Sequence, residues 1–503
     1  MNPSILNYGV RRLAVSPSAL MLSALLRAIL MSLLLSSPVP AQSVDRSKPP
    51  EPGPPPRLKL AKIQHLKLSN GLPVVLMEKH ELPLVEIELI IRAGAVNDPP
   101  ELDGRANLTA SMMEDGAGSR DALRLSDAID FLGADISAFG SVHTSGVSLH
   151  SPLSKLDPAL ALFADIALRP TFPGEELDRE RKERLTTLAQ WHDEPPTVAS
   201  VLFNSVLYGQ RNPYGLPLLG SEQTLRSLNV EALKQFHDRY FHPGNGSLVV
   251  VGDVTAESLL PKLEAVFGSW KAGTSEGQTV PAAEQPDGRS VYLADMPGAA
   301  QSEIRIGRIG VDRLTEDYFP ILVMNTILGG SFTSRLNHNL REEKGYTYGA
   351  ASSFDFRPFP GPFSARAAVQ TDVTDKALAE FMKELNGIRQ PVTGEELSRA
   401  KNYLTLRYPE NFETVSQIAG QLVNLVLYRL PDDYFDKYSE RIRAVTVEDV
   451  QRVAQKYIVP EKMAIVIVGD RKKIEPAVSA LNLGPLHNLT VDDVLGPAPK
   501  TGE

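Results

Sequence analysis

One segment of this chain occurs twice. Val230-Glu231, Tyr240, Pro243 and Val251-Gly252-Asp253 are matched by Val447-Glu448, Tyr457, Pro460 and Val468-Gly469-Asp470, every pair 217 positions apart. That spacing is far beyond the ~20–50 residues of a solenoid repeat, so it implies two similar bodies rather than a stack of small units. The polar, Gly-containing stretch Lys271-Ala272-Gly273-Thr274-Ser275-Glu276-Gly277-Gln278 has the composition of a connection between them. The halves are placed at residues 58–272 and 288–485, joined by a linker over 273–287 and followed by a tail over 486–503.

Each copy reads as a helix of 3.6 spacing, a Pro break and a short β-branched strand, Ser247 to Val251 or Ala464 to Val468, ending in Gly-Asp. Pro83 to Arg92 alternates like a half-buried strand. Asp103 to Met113 and Asp157 to Leu168 have helical spacing, the second with Asp157 as cap and Pro158 at the first helical position. In the second half Ile304 to Ile309 alternates, Tyr318 to Leu328 is helical, and Tyr346 to Phe356 and Pro362 to Val369 read as adjacent strands. Strands and helices do not alternate regularly, so the pattern predicts α+β, with helices packed on one face of antiparallel-rich sheets, and not a Rossmann fold.

The first forty residues read as a targeting segment. Arg11, Arg12 and Arg27 are the only charged side chains in residues 1–41; the apolar stretch Ala28 to Leu35 then leads to Val39-Pro40-Ala41, small residues suited to a signal peptidase after Ala41. Arg27 breaks the apolar run well short of the ~18–20 residues a membrane span needs. The expectation is a signal peptide over 1–41, a stiff Pro-rich tether over 42–57, no stable membrane anchor, and a periplasmic location. The chain carries 52 Lys plus Arg against 61 Asp plus Glu, a net −9, and loss of the leader's three arginines makes it −12. With no basic block for a phosphate backbone, nucleic acid is not expected as a partner; the negative sum favours basic peptides.

Chemistry is constrained by absences. There is no Cys in the 503 residues, which excludes disulfides, thiolate metal sites and a cysteine nucleophile. None of the nine histidines has a second at i+4 with a carboxylate between them; His237 and His242, five apart before Pro243, read as exposed or capping residues. No nucleophile elbow and no dinucleotide fingerprint follows a strand, and Gly116-Ala117-Gly118 reads as a helix cap. By itself the sequence describes a two-half α+β protein without a self-contained catalytic centre.

The duplication, together with "NGLPVVLMEKHELPLVEIELIIRAGAVNDP", "GRANLTASMMEDGAGSR", "NPYGLPLLGSEQTL", the two "VGD" strands and "GGSFTSRLNHNLREEKGYTYGA", resembles the M16 metallopeptidase family (pitrilysin-like, and closest to bacterial and mitochondrial processing peptidase-like members) over residues 60–480. The resemblance implies the M16/LuxS-like metallohydrolase fold, with each half built of paired α+β units and two halves closing around a peptide chamber. Active members carry H-x-x-E-H after a Gly-x-Ala that here is Gly104-Arg105-Ala106. The two His bind zinc, the Glu is the base for the metal-bound water, and a distal Glu completes the shell. At these positions stand Asn107, Ala110 and Ser111, and the family's E-x6-E becomes Glu180 and Thr187. An amide and a hydroxyl are poor zinc ligands and a methyl accepts no proton, so neither a metal in this chain nor residual catalysis by it alone is expected. The edge strand that holds peptide in active members matches Ala138 to His143; its N-A-x-T appears as Ser137, Ala138 and Gly140, which weakens peptide capture in this half.

The second half keeps what the resemblance assigns to it. Arg341 and Tyr348, inside Gly329-Gly330, Ser334-Arg335-Leu336 and Leu340-Arg341-Glu342-Glu343, match an Arg and Tyr that members contribute across the chamber. A guanidinium fork holds a substrate carbonyl, and a phenol donates to the developing oxyanion. Read without the resemblance, Arg341 is a solvated residue pairing with Glu342 or Glu343 and Tyr348 a strand residue half in the core. Losses in one half and retention in the other imply a non-catalytic subunit of a heterodimeric zinc peptidase. Its partner would carry an intact H-x-x-E-H and the zinc, and both would act on a peptide substrate. The alternative from another class is a proteolytically inert scaffold or peptide-binding protein of the same fold.

Overall fold

The computed structural model describes residues 58–500 and, before them, Met21 alone; apart from that residue, the expected signal peptide, its cleavage after Ala41 and the expected tether lie outside the described residues. The first half supplies strands β1 (Gln64–Lys67), β2 (Pro73–Glu78), β3 (Leu84–Ile91), β4 (Asp135–Gly140), β5 (Ser145–Pro152) and β6 (Gly246–Gly252). It also supplies helices α1 (Arg105–Glu114), α2 (Leu156–Leu168), α3 (Gly174–Trp191), α4 (Pro195–Tyr208), α5 (Val230–Tyr240) and α6 (Ala256–Phe267). The second half supplies β7 (Ser290–Asp295), β8 (Gln301–Ile309), β9 (Thr347–Phe354), β10 (Pro362–Gln370), β11 (Ala464–Gly469) and β12 (Leu486–Thr490). Its counterpart helices are α7 (Tyr318–Leu328), α8 (Thr374–Gly387), α9 (Gly394–Arg407), α10 (Val415–Tyr428), α11 (Val447–Tyr457) and α12 (Arg471–Ala480).

The two sheets are copies of one another. The first runs β1-β2-β6-β3-β5-β4 and the second, read in the matching direction, β12-β7-β11-β8-β10-β9. Pairing is antiparallel except β2 with β6 in the first sheet and β7 with β11 and β12 in the second. The sixth position breaks the symmetry: the first strand among the described residues, β1, fills it antiparallel in one sheet, and β12, close to the C-terminus, fills it parallel in the other. Residues 486–490, read from sequence as tail, therefore belong to the second half.

Helices on one face only is also corrected. Alternation along β2 sends Leu76 into the first half's own core and Val75 and Met77 to the opposite face, and β6 divides Leu248 and Val250 from Val249 and Val251 in the same way. The opposite face is covered by α10, which crosses from the second half onto β3 and β6, while α4 crosses the other way onto β8 and β11. Polar bonds pin both crossings: Ser416 Oγ donates to Glu86 at 2.6 Å, and Arg305 donates to the Pro196 carbonyl at 3.2 Å. Covered on both faces, β6 and β11 are buried along their whole length, which explains their unbroken apolar runs.

Several local readings change. The helix read as capped by Asp157 starts at Leu156, with Asp157 inside its first turn. Gly116-Ala117 is a strand of a two-residue hairpin rather than a cap, α1 being closed by Asp115. His237 and His242 are buried, not exposed; His237 Nε2 lies 3.0 Å from the Ala167 carbonyl oxygen, so packing against the C-terminal end of α2 outweighs solvation.

Candidate functional site

Helix α1 is fixed at its start by Asp98, whose carboxylate accepts from Ala106 N at 2.9 Å and pairs with Arg105 at 3.2 Å. This satisfies a free helix N–H, and burial pushes the Asp98 carboxyl up to about 7, with the Ala106 N–H and Arg105 opposing that rise. Asn107 and Ser111 are one turn apart and share a face, and α3 lies across that face. Between the helices sits a residue that motif spacing alone does not single out. The guanidinium of Arg184 donates to Asn107 Oδ1 at 2.8 Å and to Ser111 Oγ at 2.7 Å, with its Nε 3.4 Å from Glu180 Oε2. Arg184 is 6% exposed, and burial moves its pKa down while Glu180 and Asp115 oppose that shift.

Four of the five residues singled out in this half thus receive definite places. Asn107 and Ser111 are acceptors for a guanidinium, Glu180 balances its charge, and Ala110 is buried with its methyl toward the edge strand. Thr187 is not brought into the cluster by any hydrogen bond: its hydroxyl donates back to the Glu183 carbonyl at 3.1 Å. Zinc does not fit this donor set. A dication about 4 Å from the guanidinium would meet roughly 8 kcal/mol of repulsion at an effective dielectric of about 20, and neutral amide and hydroxyl ligands do not offset that. Among the described residues no group of three or more His, Asp or Glu is arranged to hold a metal elsewhere.

The same helix covers the outer edge of β4. Asn107 Nδ2 donates to the Gly140 carbonyl at 2.8 Å, and Glu114 accepts from Ala138 N. Gly140 permits this approach: a Cβ there would lie 2.9 Å from both the Ala106 carbonyl oxygen and Asn107 Cα. Burial raises the Glu114 pKa to about 7, with the charges of Asp115, Asp135 and Glu180 adding to it and the Ala138 N–H opposing it.

Arg341 and Tyr348 lie on the other half. Arg341 sits in a wide helical turn, His338–Glu343, with Nε 3.3 Å from Glu342 and its guanidinium carbon 4.6 Å from the centroid of the exposed Phe332 ring. Tyr348 falls where the register of β9 against β10 slips between Thr347 and Ala350; such a bulge re-aims a side chain, and Tyr348 is 91% exposed, not half in the core. Asn337, buried beneath them, donates to the Phe332 carbonyl at 2.7 Å and accepts from Ala350 N at 3.2 Å, tying loop to strand. Among the described residues no hydrogen bond or ion pair joins Arg341 or Tyr348 to Asn107, Ala110, Ser111 or Thr187.

A family model described as Insulinase (Peptidase family M16) matches residues 73–222, and one described as Peptidase M16 inactive domain matches residues 227–404. The chain belongs to the M16 peptidase family. A Rickettsia felis protein described as an uncharacterized zinc protease is 28% identical over 340 residues, 67% of this chain and 81% of that protein. A Bacillus subtilis protein with the same description is 24% identical over 397 residues, 78% and 95% of the two chains. Among solved structures, a peptidase M16 inactive domain from Pseudomonas fluorescens superposes with a TM-score of 0.76 at 27% identity, covering 81% of this chain and 98% of that one. A protease from Helicobacter pylori shares the fold with a TM-score of 0.74 at 20% identity, covering 81% and 100%.

Proposed function

We propose that this chain is the non-catalytic subunit of a heterodimeric, zinc-dependent M16 peptidase of the periplasm. A partner M16 chain with an intact H-x-x-E-H holds the zinc; this chain completes the peptide chamber and presents Arg341 and Tyr348 to the partner's metal site. The observation that carries the reading is an asymmetry. The cleft where this chain would hold a metal is filled by its own arginine, whereas Arg341 and Tyr348 stand at the surface, the guanidinium having, among the described residues, Glu342 and Phe332 beside it. When bound in the partner, zinc supplies an activated water; this chain's share is to hold the substrate carbonyl through the Arg341 fork and to donate from Tyr348 to the oxyanion.

The test is purification of the tagged chain from its own periplasm, identifying what co-purifies and counting zinc. A one-to-one M16 partner with H-x-x-E-H and one zinc per pair is the expected result. In that complex Arg341→Ala lowers turnover by ~10²–10³ without dissociating the pair. A mutant complex that cleaves peptide normally overturns the role given to Arg341, and recovery of a lone, metal-free chain favours the inert scaffold.

A further inference from the structure

We propose that Arg184 is a built-in cation in the place of a metal, and that with it the first half's cleft is sealed against both a divalent ion and an added strand. Two sets of contacts carry this. Arg184 spends its donors on Asn107 and Ser111, the two positions at which the family motif has metal ligands, and is neutralised by Glu180. It stands on the same face of α3 as Glu180 and Thr187, at i+4 and i−3, so it lies over the ground a distal ligand at 187 would have to reach. The second set concerns the edge strand. An open edge offers free N–H and C=O groups to any extended peptide. On β4 the outward N–H of Ala138 is held by Glu114 and the outward carbonyl of Gly140 by Asn107, so both groups are already spent before a further strand could pair with them. Asn107 belongs to both sets: its Oδ1 is fixed by Arg184 and its Nδ2 by the strand.

The lost zinc motif is thus a rebuilt joint, not a vacant cleft, and restoring ligands does not by itself restore a metal site. Two variants of the full chain test this without any partner. One carries Asn107→His, Ser111→His and Thr187→Glu; the other adds Arg184→Ala. Zinc per chain is counted after dialysis, on material whose circular dichroism matches the native protein. The expected result is less than about a tenth of an equivalent in the first and about one equivalent in the second. Zinc held stoichiometrically by the first, or absent from both, overturns the proposal. A second measurement does not depend on those variants folding. In the native background Arg184→Met, which keeps length and removes the charge, raises hydrogen exchange of peptides spanning Asp135–Gly140 by at least about tenfold, as α1 releases the strand. Unchanged exchange there overturns the sealed edge.

Discussion

At the scale of single residues, the first half exchanges a divalent ion for a monovalent one. Removing Arg184 leaves Asn107 Oδ1, Ser111 Oγ and the Glu180 carboxylate without their shared donor, and unmade bonds to a charged group cost more than the net worth of the bonds themselves. Arg184→Ala is expected to cost about 2–4 kcal/mol, read from urea unfolding, with Arg184→Lys in between because an ammonium lacks the planar fork. Glu114 makes a pH prediction. Its folded pKa of about 7 stands above the ordinary 4.5, so between those values the unfolded chain has given up a proton that the folded one keeps. The contribution of Glu114 to stability therefore falls as pH rises from about 4.5 to about 7, Glu88 and Asp98, which burial also raises to about 7, add to the same decline, and Glu114→Gln, which keeps an acceptor for Ala138 N, makes it shallower. An unchanged slope between pH 5 and pH 7.5 would remove Glu114 from the account. The departure of Asn107, Ala110 and Ser111 from the family's two zinc ligands and base was legible in the sequence. Their replacement was not, because Arg184 is 77 residues from Asn107 and a motif read as Glu180 followed by Thr187 passes over the residue between. The one available signal was helical: 180, 184 and 187 share a face.

At the scale of elements, periodicity recovered what is local. Tyr318 to Leu328 was placed to the residue, and β3, β8, β10 and the two duplicated helices to within a few residues. It missed the crossing of α4 and α10, because an amphipathic helix records that it has an apolar face and not whose sheet that face meets. The same blindness read His237 and His242 as exposed or capping residues, where the structure buries them, and left β12 in the tail. The crossing can be probed at Gly307 on β8. A side chain there would run into the Phe363 carbonyl of the next strand and come within 2.7 Å of the ring of Phe203, a residue of the visiting α4. Gly307→Ala is expected to lose at least about 3 kcal/mol in urea unfolding, the upper range of overpacking, since a strand backbone cannot give way as a side chain can.

For the whole molecule, the duplication argues two bodies and the packing joins them into one. The described residues 58–500 form a single compact unit. The visiting helix α4 packs Val198, Leu202 and Phe203 against Val466 and Val468, while Val75, Met77, Val249 and Val251 join the second half's core. A protease nick in the exposed linker at Glu276 should therefore leave the two fragments eluting together, with a single calorimetric unfolding transition; two separated transitions would mean that the halves are independent. The exchange of helices also sets an order in time. The first sheet is complete in strands at Gly252, yet its outer face has no cover until residues 415–428 exist, so the early half waits for the late one. Contacts spanning more than 160 residues carry the loop-closure cost before they return any burial, and such topologies fold slowly. Each half ends its folding as the other does, in one event.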